Sequence, residues 1–273
     1  MKTRITITID NELLKQVDEV ARRENDGSRS FTVEKIIKER LSPYARKTAI
    51  ILAGGRGTRL RPLTYELPKP MMTIRGKPIM EYMIEQLKAA DVYDLIISIG
   101  YLGEKIKVHF GDGSKFGVRI RYVEEKEPLG TGGAVKSCEN YVHDDVLVLN
   151  GDNLFDFDLS KIYSFHKKER PFATIALTNQ EKTSNFGVVN MNGSIITKFI
   201  EKPKTEQSSH LINAGIYVLS PKFISWLPEG PSKIEEMFEK LASKGVINGF
   251  VYTGRWMPCD SIELYDKAIK SWV

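Results

Sequence analysis

The 273-residue chain contains only two cysteines, and no apolar run in it approaches the ~20 residues that a membrane span requires. Cys138 and Cys259 match no metal-ligand spacing and are too few for a disulfide framework, so we expect reduced, partly buried thiols. The amino terminus lacks the apolar core of a secretory signal. These absences argue against membrane proteins and disulfide-rich secreted domains, and they predict a cytoplasmic protein without a membrane partner.

The charge balance is mildly basic. Forty basic and 35 acidic side chains give a net charge of +5, spread along the chain. Such an excess permits anionic ligands without indicating nucleic acid. The length is sufficient for one large domain of about 220 residues and a small additional unit.

The most informative stretch is the glycine-rich segment 52–70, which reads LAGGRGTRLRPLTYELPKP. It follows the apolar run 48–52, which is typical of a buried parallel strand that ends at the carboxyl edge of an α/β sheet. Ligands bind at that edge in such folds. The glycines let backbone N–H groups approach a polyphosphate, and two basic side chains add positive charge. These residues are Gly54, Gly55, Gly57, Arg59 and Lys69.

Other glycine-rich loops fit this segment less well. A Walker loop needs Gly-Lys-Ser/Thr, whereas Gly57 is followed by Thr58 and Arg59. A dinucleotide-binding loop needs a third glycine where Leu60 stands, and an acidic residue about 20 positions later that is absent. An ordinary tight turn remains an alternative for the glycines alone.

Together with Pro-Lys-Pro at 68–70 and Gly-Lys-Pro at 76–78, the segment closely resembles the sugar-1-phosphate nucleotidylyltransferase family. The resemblance implies an enzyme that joins a nucleoside triphosphate to a sugar 1-phosphate and releases pyrophosphate. The catalytic residues that it implies are Arg59, Lys69, Asp152 and Lys202. The nucleotide-binding residues are Leu52, Ala53, Gly54, Gly55, Gly57, Thr58, Arg59, Lys69, Glu125, Gly130 and Asp152.

From residue 48 onward, apolar strand-like runs alternate with amphipathic helices, which indicates an α/β fold. We expect a doubly wound, mixed but mostly parallel sheet in a Rossmann-like catalytic domain over 47–273. Strands are predicted at 48–52, 95–99, 119–123 and 146–149, and helices at 79–90, 104–110 and 133–140. Closely spaced runs at 173–177, 186–191, 194–200 and 214–219 suggest an added antiparallel or mixed portion.

A carboxylate follows the buried run 147–149 in the sequence Asn-Gly-Asp152. Asn-Gly-Asp alone is only a turn, but a carboxylate at a strand end opposite a phosphate loop is well placed to hold Mg²⁺. The family resemblance implies the same role. Most relatives carry a second metal-binding aspartate where this chain has Pro258, which cannot be a ligand. Asp260 resembles instead the arrangement in glucose-1-phosphate cytidylyltransferases and is the expected second ligand of Mg²⁺.

The base-binding loop is expected after Tyr122, where Glu124, Glu125 and Glu127 precede Pro-Leu-Gly-Thr-Gly-Gly. Guanine and cytosine present N–H donors that a carboxylate can accept. Alignment with the family favours Glu125 and the backbone of Gly130. The amino-acid sequence of the loop resembles that of guanylyltransferases for mannose or heptose phosphates, so GTP is the favoured nucleotide. The Asp260 arrangement leaves CTP as the alternative. Location of all three glutamates on a solvated loop is the simpler alternative.

Three later motifs resemble the sugar-phosphate pocket of the family: Asn-Phe-Gly-Val at 185–188, Phe-Ile-Glu-Lys-Pro at 199–203 and Ile-Asn-Ala-Gly at 212–215. The resemblance implies that Lys202 binds the attacking phosphate. Groups expected to bind sugar hydroxyls are the backbone of Gly187, the Glu201 carboxylate and the Asn213 amide.

Residues 1–46 form a separate predicted unit. Residues 4–10 alternate isoleucine with Arg4, Thr6 and Thr8, as a half-buried strand does. Asn11 and the serines at 28–30 can cap two amphipathic helices. One strand and two helices cannot bury their apolar faces alone, so we expect a second copy to complete the unit.

This pattern resembles the ribbon-helix-helix family, whose outward strand side chains enter the DNA major groove. The resemblance implies a homodimer and double-stranded DNA as a partner through Arg4, Thr6 and Thr8. Dimerisation without DNA binding is the alternative, and assembly into a tetramer stays open. A different class of function is a transcriptional regulator whose nucleotidyltransferase-like domain senses nucleotides or nucleotide-sugars.

Overall fold

The computed structural model describes residues 6–23, 28–41 and 47–272. The chain divides into two compact units, Met1–Arg46 and Lys47–Val273. Among the described residues, none of the helices combines the length and apolarity that crossing a membrane would need. Both cysteines are free and fully buried rather than partly buried, and burial raises the pKa of each thiol to about 12.

The smaller unit contains two helices, α1 (Asn11–Arg23) and α2 (Arg29–Leu41). Asp10, rather than the predicted Asn11, caps α1, since its Oδ1 accepts hydrogen bonds from the backbone N–H of residues 12 and 13 at 2.9 and 2.8 Å. The Arg29 guanidinium donates to both carboxylate oxygens of Asp18, which ties the two helices together. Large apolar side chains nevertheless remain exposed on this unit: Ile7, Leu13, Phe31 and Ile37.

The strand predicted over 4–10 is absent from its described part, because residues 6–10 have no regular secondary structure. A lone strand in a single chain has no neighbour for its backbone N–H and C=O groups, which explains the difference. Thr6 and Thr8 are exposed there, and Arg4 lies outside the described residues.

The larger unit is an α/β structure. Its strands are β1 (Thr48–Ala53), β2 (Thr73–Ile74), β3 (Lys77–Pro78), β4 (Asp94–Ile99), β5 (Arg119–Glu124), β6 (Val146–Asn150), β7 (Asn153–Phe155), β8 (Ala173–Asn179), β9 (Gly187–Asn192), β10 (Ile195–Glu201), β11 (Leu211–Leu219), β12 (Ile247–Val251) and β13 (Trp256–Pro258). Its helices are α3 (Ile79–Ala89), α4 (Gly103–Phe110), α5 (Gly130–Ser137), α6 (Leu159–Glu169), α7 (Pro221–Ser225), α8 (Ile234–Ala242) and α9 (Ile262–Ser271). The predicted alternation over 48–150 is thus present, although α5 begins and ends three residues earlier than predicted.

A nine-stranded sheet crosses the described part of this unit in the order β5-β4-β1-β6-β11-β8-β12-β10-β9. The four strands from β5 to β6 are parallel. Beyond them β11 is antiparallel to both neighbours, whereas β12 is parallel to β8. The sheet is therefore mixed as predicted, but it is mostly parallel only in its first half.

Helices cover both faces of the sheet. One core joins the apolar sides of α3, α4 and α6 to residues such as Ile51, and the other joins α5, α7 and α8 to residues such as Ile50. Because neighbouring strand residues point to opposite faces, β1 contributes to both cores, and its residues 49–51 and 53 are buried. Its carboxyl end is thereby fixed, and the glycine-rich loop begins there.

Candidate functional site

The glycine-rich loop leaves β1 in close contact with the next parallel strand, β4. The backbone N–H of Tyr101 donates to the Gly54 carbonyl at 3.3 Å. A Cβ on Gly54 would lie 2.2 Å from Oε1 of Glu125, whereas a Cβ on Gly55 would have nothing within 4 Å. Gly57 has a φ of +59°, which favours glycine. The loop thus needs glycine at 54 and 57 for different reasons.

We expect Gly54→Ala to weaken nucleotide binding about tenfold, since the added methyl group must displace the Glu125 carboxylate. Titration calorimetry with GTP measures the effect. A Gly54→Ala variant that binds GTP as tightly as the unaltered protein would contradict this account of the loop.

Glu125 follows β5 and is held at both carboxylate oxygens. Ser98 Oγ donates to Oε1 at 2.9 Å, and the backbone N–H of Leu129 donates to Oε2 at 3.1 Å. These bonds fix the carboxylate beside the glycine-rich loop, and each oxygen retains a lone pair for a further donor. Glu124, by contrast, is exposed and pairs with Lys107.

Asp152 lies just beyond β6, next to the same loop. β6 pairs in parallel with β1, so that Asn150 stands opposite Leu52. The backbone N–H of Gly151 donates to the Leu52 carbonyl at 2.9 Å, and a Cβ on Gly151 would lie 2.5 Å from that oxygen. The Asn-Gly-Asp turn therefore places a carboxylate beside the loop.

Asp260 reaches the same place from the far end of the chain. The short strand β13 pairs with β7, with Pro258 opposite Asn153, and the backbone N–H of Cys259 donates to the Asp152 carbonyl at 2.9 Å. Pro258 is thus part of the strand pairing. The Asp260 carboxylate, two residues later, lines two adjoining cavities that are described below.

The two expected metal ligands pair with two of the expected catalytic cations. Lys69 Nζ lies 2.5 Å from Asp152 Oδ2, and Arg59 Nη1 lies 2.6 Å from Asp260 Oδ2. The Lys69 side chain is 12% exposed, whereas that of Arg59 is 59% exposed. A bound triphosphate would compete with the carboxylates for these cations, and a divalent metal would compete with the cations for the carboxylates.

The chemistry of this donor set fits Mg²⁺. Asp152 and Asp260 are hard oxygen donors that line the same cavities. Within the described ranges no group of three or more His, Cys, Asp or Glu side chains could hold a metal. Mg²⁺ usually binds one or two carboxylates and completes its shell with waters and substrate phosphates. Two carboxylates therefore suit a magnesium ion that shares its ligands with a phosphate.

The first of two adjoining cavities has a volume of about 400 Å³ and contains every nucleotide-binding residue expected from the sequence. Its lining includes residues 52–59 of the glycine-rich segment, Lys69, Glu125, Gly130 and both aspartates. The cavity also includes residues without a predicted role: Arg56, Pro70, Pro128, Thr131, Ala134, Asn150 and Gly151.

The second cavity, of about 250 Å³, contains every residue expected to bind the sugar phosphate: Gly187, Glu201, Lys202 and Asn213. Lys202 has a φ of +45°, a backbone conformation that costs a non-glycine residue energy and that recurs at functional sites. Its Nζ lies 3.4 Å from Glu201 Oε1. Burial, and then the charge of Glu235, raise the pKa of the Glu201 carboxyl.

The side chain of Asn213 forms two hydrogen bonds within its own strand, β11, which the sequence did not predict. Its Nδ2 donates to the Tyr217 hydroxyl at 2.9 Å, and its Oδ1 accepts from the backbone N–H of Gly215 at 2.9 Å. These bonds span the irregularity in the pairing of β11 with β8. The amide therefore shapes the cavity wall and keeps one N–H and one lone pair for a sugar hydroxyl.

The two cavities share part of their lining, namely Arg59, Thr131, Asn150, Asp152 and Asp260. Oδ1 of Asn150 is buried without a hydrogen-bond partner in the described structure, so it can accept from a ligand. Asn150 belongs to the Asn-Gly-Asp turn for which the sequence predicted a site, although only Asp152 was expected to act there. Thr131 belongs to the predicted base-binding motif but had no predicted role in it. Glu235 of the second cavity carried no signal, because a helical glutamate is common on any surface.

A model of the family described as Nucleotidyl transferase matches residues 48–260. A mannose-1-phosphate guanyltransferase of Yarrowia lipolytica is 39% identical over 215 residues, which cover 76% of this chain and 59% of the relative. A UTP–glucose-1-phosphate uridylyltransferase of Synechocystis sp. is 37% identical over 217 residues, which cover 72% of this chain and 56% of the relative. The chain thus spans less than two thirds of the length of these curated relatives.

Among solved structures, HddC from Yersinia pseudotuberculosis complexed with GMP-PN matches with a TM-score of 0.71 and 28% identity. The match covers 83% of this chain and 100% of that chain. The family model begins at residue 48, so it leaves the two N-terminal helices outside its range.

Proposed function

We propose, since the chain belongs to the nucleotidyl transferase family, that it forms a nucleotide-sugar and pyrophosphate from a nucleoside triphosphate and a sugar 1-phosphate. The observation that supports this most is the meeting of two cavities at Arg59, Asp152 and Asp260. One cavity carries the glycine-rich loop and the other carries Lys202. Two phosphorylated substrates can thereby meet at one cluster of charges.

In the proposed reaction an oxygen of the sugar phosphate attacks the α-phosphorus of the triphosphate. The new O–P bond forms while the bond between the α-phosphorus and the bridging oxygen breaks, and pyrophosphate leaves with that electron pair. The attacking oxygen is already anionic, so the reaction needs no general base. Catalysis then depends on alignment and on charge neutralisation.

The residues divide this work by position. Backbone N–H groups of the loop 54–58 bind the triphosphate, and Arg59 and Lys69 exchange their carboxylate partners for its phosphate oxygens. Lys202, which lines the second cavity and not the first, holds the attacking phosphate in line. Asp152 and Asp260 would hold Mg²⁺, which when bound neutralises charge on the phosphates.

We favour GTP as the nucleotide and mannose 1-phosphate or a similar sugar phosphate as the second substrate. The Glu125 carboxylate, fixed by Ser98 and Leu129, can accept from the N–H donors of guanine, and Gly130 lines the same cavity. The name of the Yarrowia lipolytica relative supports this choice, and so does the GMP-PN bound to HddC. CTP is the alternative base because Asp260, rather than residue 258, supplies the second carboxylate.

A pyrophosphate-release screen tests the proposal by crossing GTP, CTP, UTP, dTTP and ATP with a panel of sugar 1-phosphates and Mg²⁺. We expect the greatest rate with GTP and mannose 1-phosphate. A greatest rate with CTP would reassign the base and keep the reaction. No release with any pair would contradict the enzyme and favour the alternative, a regulator whose nucleotidyltransferase-like domain senses nucleotides or nucleotide-sugars.

The raised pKa of Glu201 predicts that KM for the sugar phosphate depends on pH. Burial and Glu235 disfavour the ionised carboxylate, so Glu201 protonates at a higher pH than a free glutamate does. The ionised form accepts bonds from sugar hydroxyls, and we expect KM for the sugar phosphate to rise on the order of tenfold for each pH unit below that pKa. Glu201→Gln should remove this acid limb from a KM profile against pH, and a limb that persists in the variant would exclude Glu201 as its origin.

We further propose that residues 1–46 form a ribbon-helix-helix module that pairs two chains and binds double-stranded DNA. The exposed Ile7, Leu13, Phe31 and Ile37 support pairing, because a second copy would bury them. Pairing would also supply the backbone partner that residues 6–10 need to form a strand. Arg4, Thr6 and Thr8 are the proposed DNA contacts, and further assembly into a tetramer is compatible with this arrangement.

A gel-shift series on DNA upstream of the protein's own coding sequence tests the module. We expect a sequence-specific complex that Arg4→Ala weakens by at least about tenfold, since one lost base contact costs about 1–3 kcal/mol. Lys15→Ala on α1 is a control for the loss of one positive charge. Weak binding that ignores sequence and disappears with salt would indicate a module that only dimerises.

A further inference from the structure

The two expected metal ligands lie at the ends of one small ribbon. Strand β7 begins immediately after Asp152, and β13 ends two residues before Asp260. Among the described strands these two pair with each other and form a sheet of their own. Because a two-stranded ribbon is only marginally stable by itself, contacts with the rest of the unit must fix its position.

One backbone carbonyl contacts both strands of this ribbon. The Ala214 carbonyl accepts from Asn153 Nδ2 at 3.1 Å and from Trp256 Nε1 at 2.9 Å. Asn153 is the first residue of β7 and Trp256 is the first residue of β13, so each strand supplies one bond. The two bonds use both lone pairs of the carbonyl oxygen. The ribbon is thereby attached to β11 through both of its strands.

The local structure of β11 makes this attachment possible. Ala214 lies in the irregular stretch between Asn213 and Tyr217, where the pairing with β8 changes register, and it stands opposite no residue of β6 or β8. A bulged residue of this kind is left out of the regular hydrogen bonding between strands. Gly215 follows with a φ of +73°, and a Cβ there would lie 2.6 Å from Asn153 Nδ2. The irregularity thus leaves a carbonyl for the ribbon, and the glycine leaves room for the Asn153 amide.

Both carboxylates are close in the chain to these two bonds. Asp152 directly precedes Asn153, whose side chain is buried. Pro258 stands opposite Asn153 on the other strand, and its fixed φ limits the paths by which the chain can reach Asp260. The next residue, Cys259, donates its backbone N–H to the Asp152 carbonyl at 2.9 Å. The direction of each carboxylate therefore depends on how the ribbon is held.

We infer that Asn153 and Trp256 are positioning residues for the two aspartates at the ends of the ribbon. Their bonds to the Ala214 carbonyl hold the ribbon in the orientation in which both carboxylates line the same cavities. Outer hydrogen bonds that orient metal-binding groups commonly change the metal affinity about 10–100-fold when they are lost. The inference rests on the proposed function for the role of the aspartates, and it gives neither Asn153 nor Trp256 a contact with the metal itself.

Titration with Mn²⁺, followed by electron paramagnetic resonance of the free ion, tests this inference without turnover. The full chain is titrated in the presence of a non-hydrolysable GTP analogue, and Mn²⁺ binding to the analogue alone is measured separately. Trp256→Phe keeps an aromatic ring and removes the Nε1–H donor, and we expect it to weaken Mn²⁺ binding by the protein about tenfold. Trp226→Phe is the matched control and should leave the Mn²⁺ affinity unchanged, because Trp226 is 41% exposed and lines neither cavity.

Asn153→Leu is a second variant, which removes the other bond at a similar side-chain volume. It should also weaken Mn²⁺ binding about tenfold, so the inference stays testable if Trp256→Phe does not fold. Asn153 and Trp256 both line the second cavity, and an altered KM for the sugar phosphate would therefore not be diagnostic. The titration contains no sugar phosphate and reports on the metal site.

Two further measurements separate positioning from a general structural role. Excess Mg²⁺ should restore kcat in both variants, since misdirected carboxylates need more metal, whereas a misfolded site would not recover. Affinity for the GTP analogue in EDTA should equal that of the unaltered protein, because neither Asn153 nor Trp256 lines the first cavity.

Unchanged Mn²⁺ affinity in both variants would overturn the inference, and so would an unaltered protein that adds nothing to the Mn²⁺ binding of the analogue. Equal losses of affinity for Mn²⁺ and for the analogue in EDTA would indicate damage to the whole site and would also overturn it. Failure of the proposed function looks different, because the expected Mn²⁺ losses would then appear in a protein that releases no pyrophosphate in the screen. Release of pyrophosphate by a protein whose Mn²⁺ affinity is indifferent to both substitutions would support the enzyme and contradict the positioning role.

Discussion

Asp152→Asn is expected to lower kcat/KM for pyrophosphate release by at least about a hundredfold, equivalent to about 3 kcal/mol of transition-state stabilisation. The asparagine keeps the size of the side chain but removes a hard anionic donor for Mg²⁺ and the partner of Lys69. The loss should depend on magnesium concentration, since a weakened site needs more metal. Steady-state pyrophosphate release with GTP and mannose 1-phosphate across a magnesium titration measures both effects.

The control for this substitution is Asp144→Asn. Asp144 is a surface carboxylate that accepts from Lys167 Nζ at 2.7 Å and does not line either cavity. Its replacement should leave kcat/KM unchanged and alter Tm little, as expected for an exposed ion pair. Asp152→Asn should also retain a normal Tm, because its carboxylate lies at a cavity rather than in the core. Near-normal turnover in Asp152→Asn would refute the proposed mechanism.

Lys202→Met should cause the second large loss, again about a hundredfold in kcat/KM for the sugar phosphate. Methionine keeps most of the aliphatic stem and removes the charge that is proposed to hold the attacking phosphate. Affinity for GTP should change little, since Lys202 lines only the second cavity. Initial rates at varied sugar phosphate, combined with GTP titration calorimetry, separate these effects.

Lys204→Met is the matched control, because Lys204 is exposed on the turn after β10 and lines neither cavity. It should retain full activity. If both methionine variants lose activity equally, general loss of positive charge would explain the result and the specific role of Lys202 would be wrong. If Lys202→Met weakens the binding of GTP as strongly as the binding of the sugar phosphate, Lys202 would belong to the nucleotide site.

The sequence predicted the larger unit well wherever local pattern determines structure. Apolar runs and helical stripes between residues 48 and 150 predicted the strands of the large sheet and the α-helices, because the spacing of their apolar residues matches the period of each element. They did not predict the two-residue strands β2 and β3, which are too short to show a period. The motifs carrying Gly54, Asp152 and Lys202 indicated residues that the fold brings to adjoining cavities. Such motifs are contiguous, so their spacing is visible without knowledge of tertiary contacts.

Contacts between segments that are distant in the chain could not be predicted from the sequence. Glu235 and Thr131 meet across more than a hundred residues, and only the fold shows that they share a hydrogen bond. Asn213 could be aligned with a motif. Its hydrogen bond to the Tyr217 hydroxyl, however, spans an irregularity in the pairing of β11 that the amino-acid sequence does not reveal. The strand at 4–10 was predicted from alternation, yet alternation does not supply the neighbour that a strand requires.

The pairing of β13 with β7 also governs when the site can exist during protein synthesis. The glycine-rich loop and Asp152 leave the ribosome long before β13, whose docking brings Asp260 to Arg59. Domains synthesised from the amino terminus acquire such long-range contacts last. A nascent chain that has exposed only its first strands therefore carries the loop and one carboxylate, whereas the complete cluster of charges forms only after the final strand has emerged.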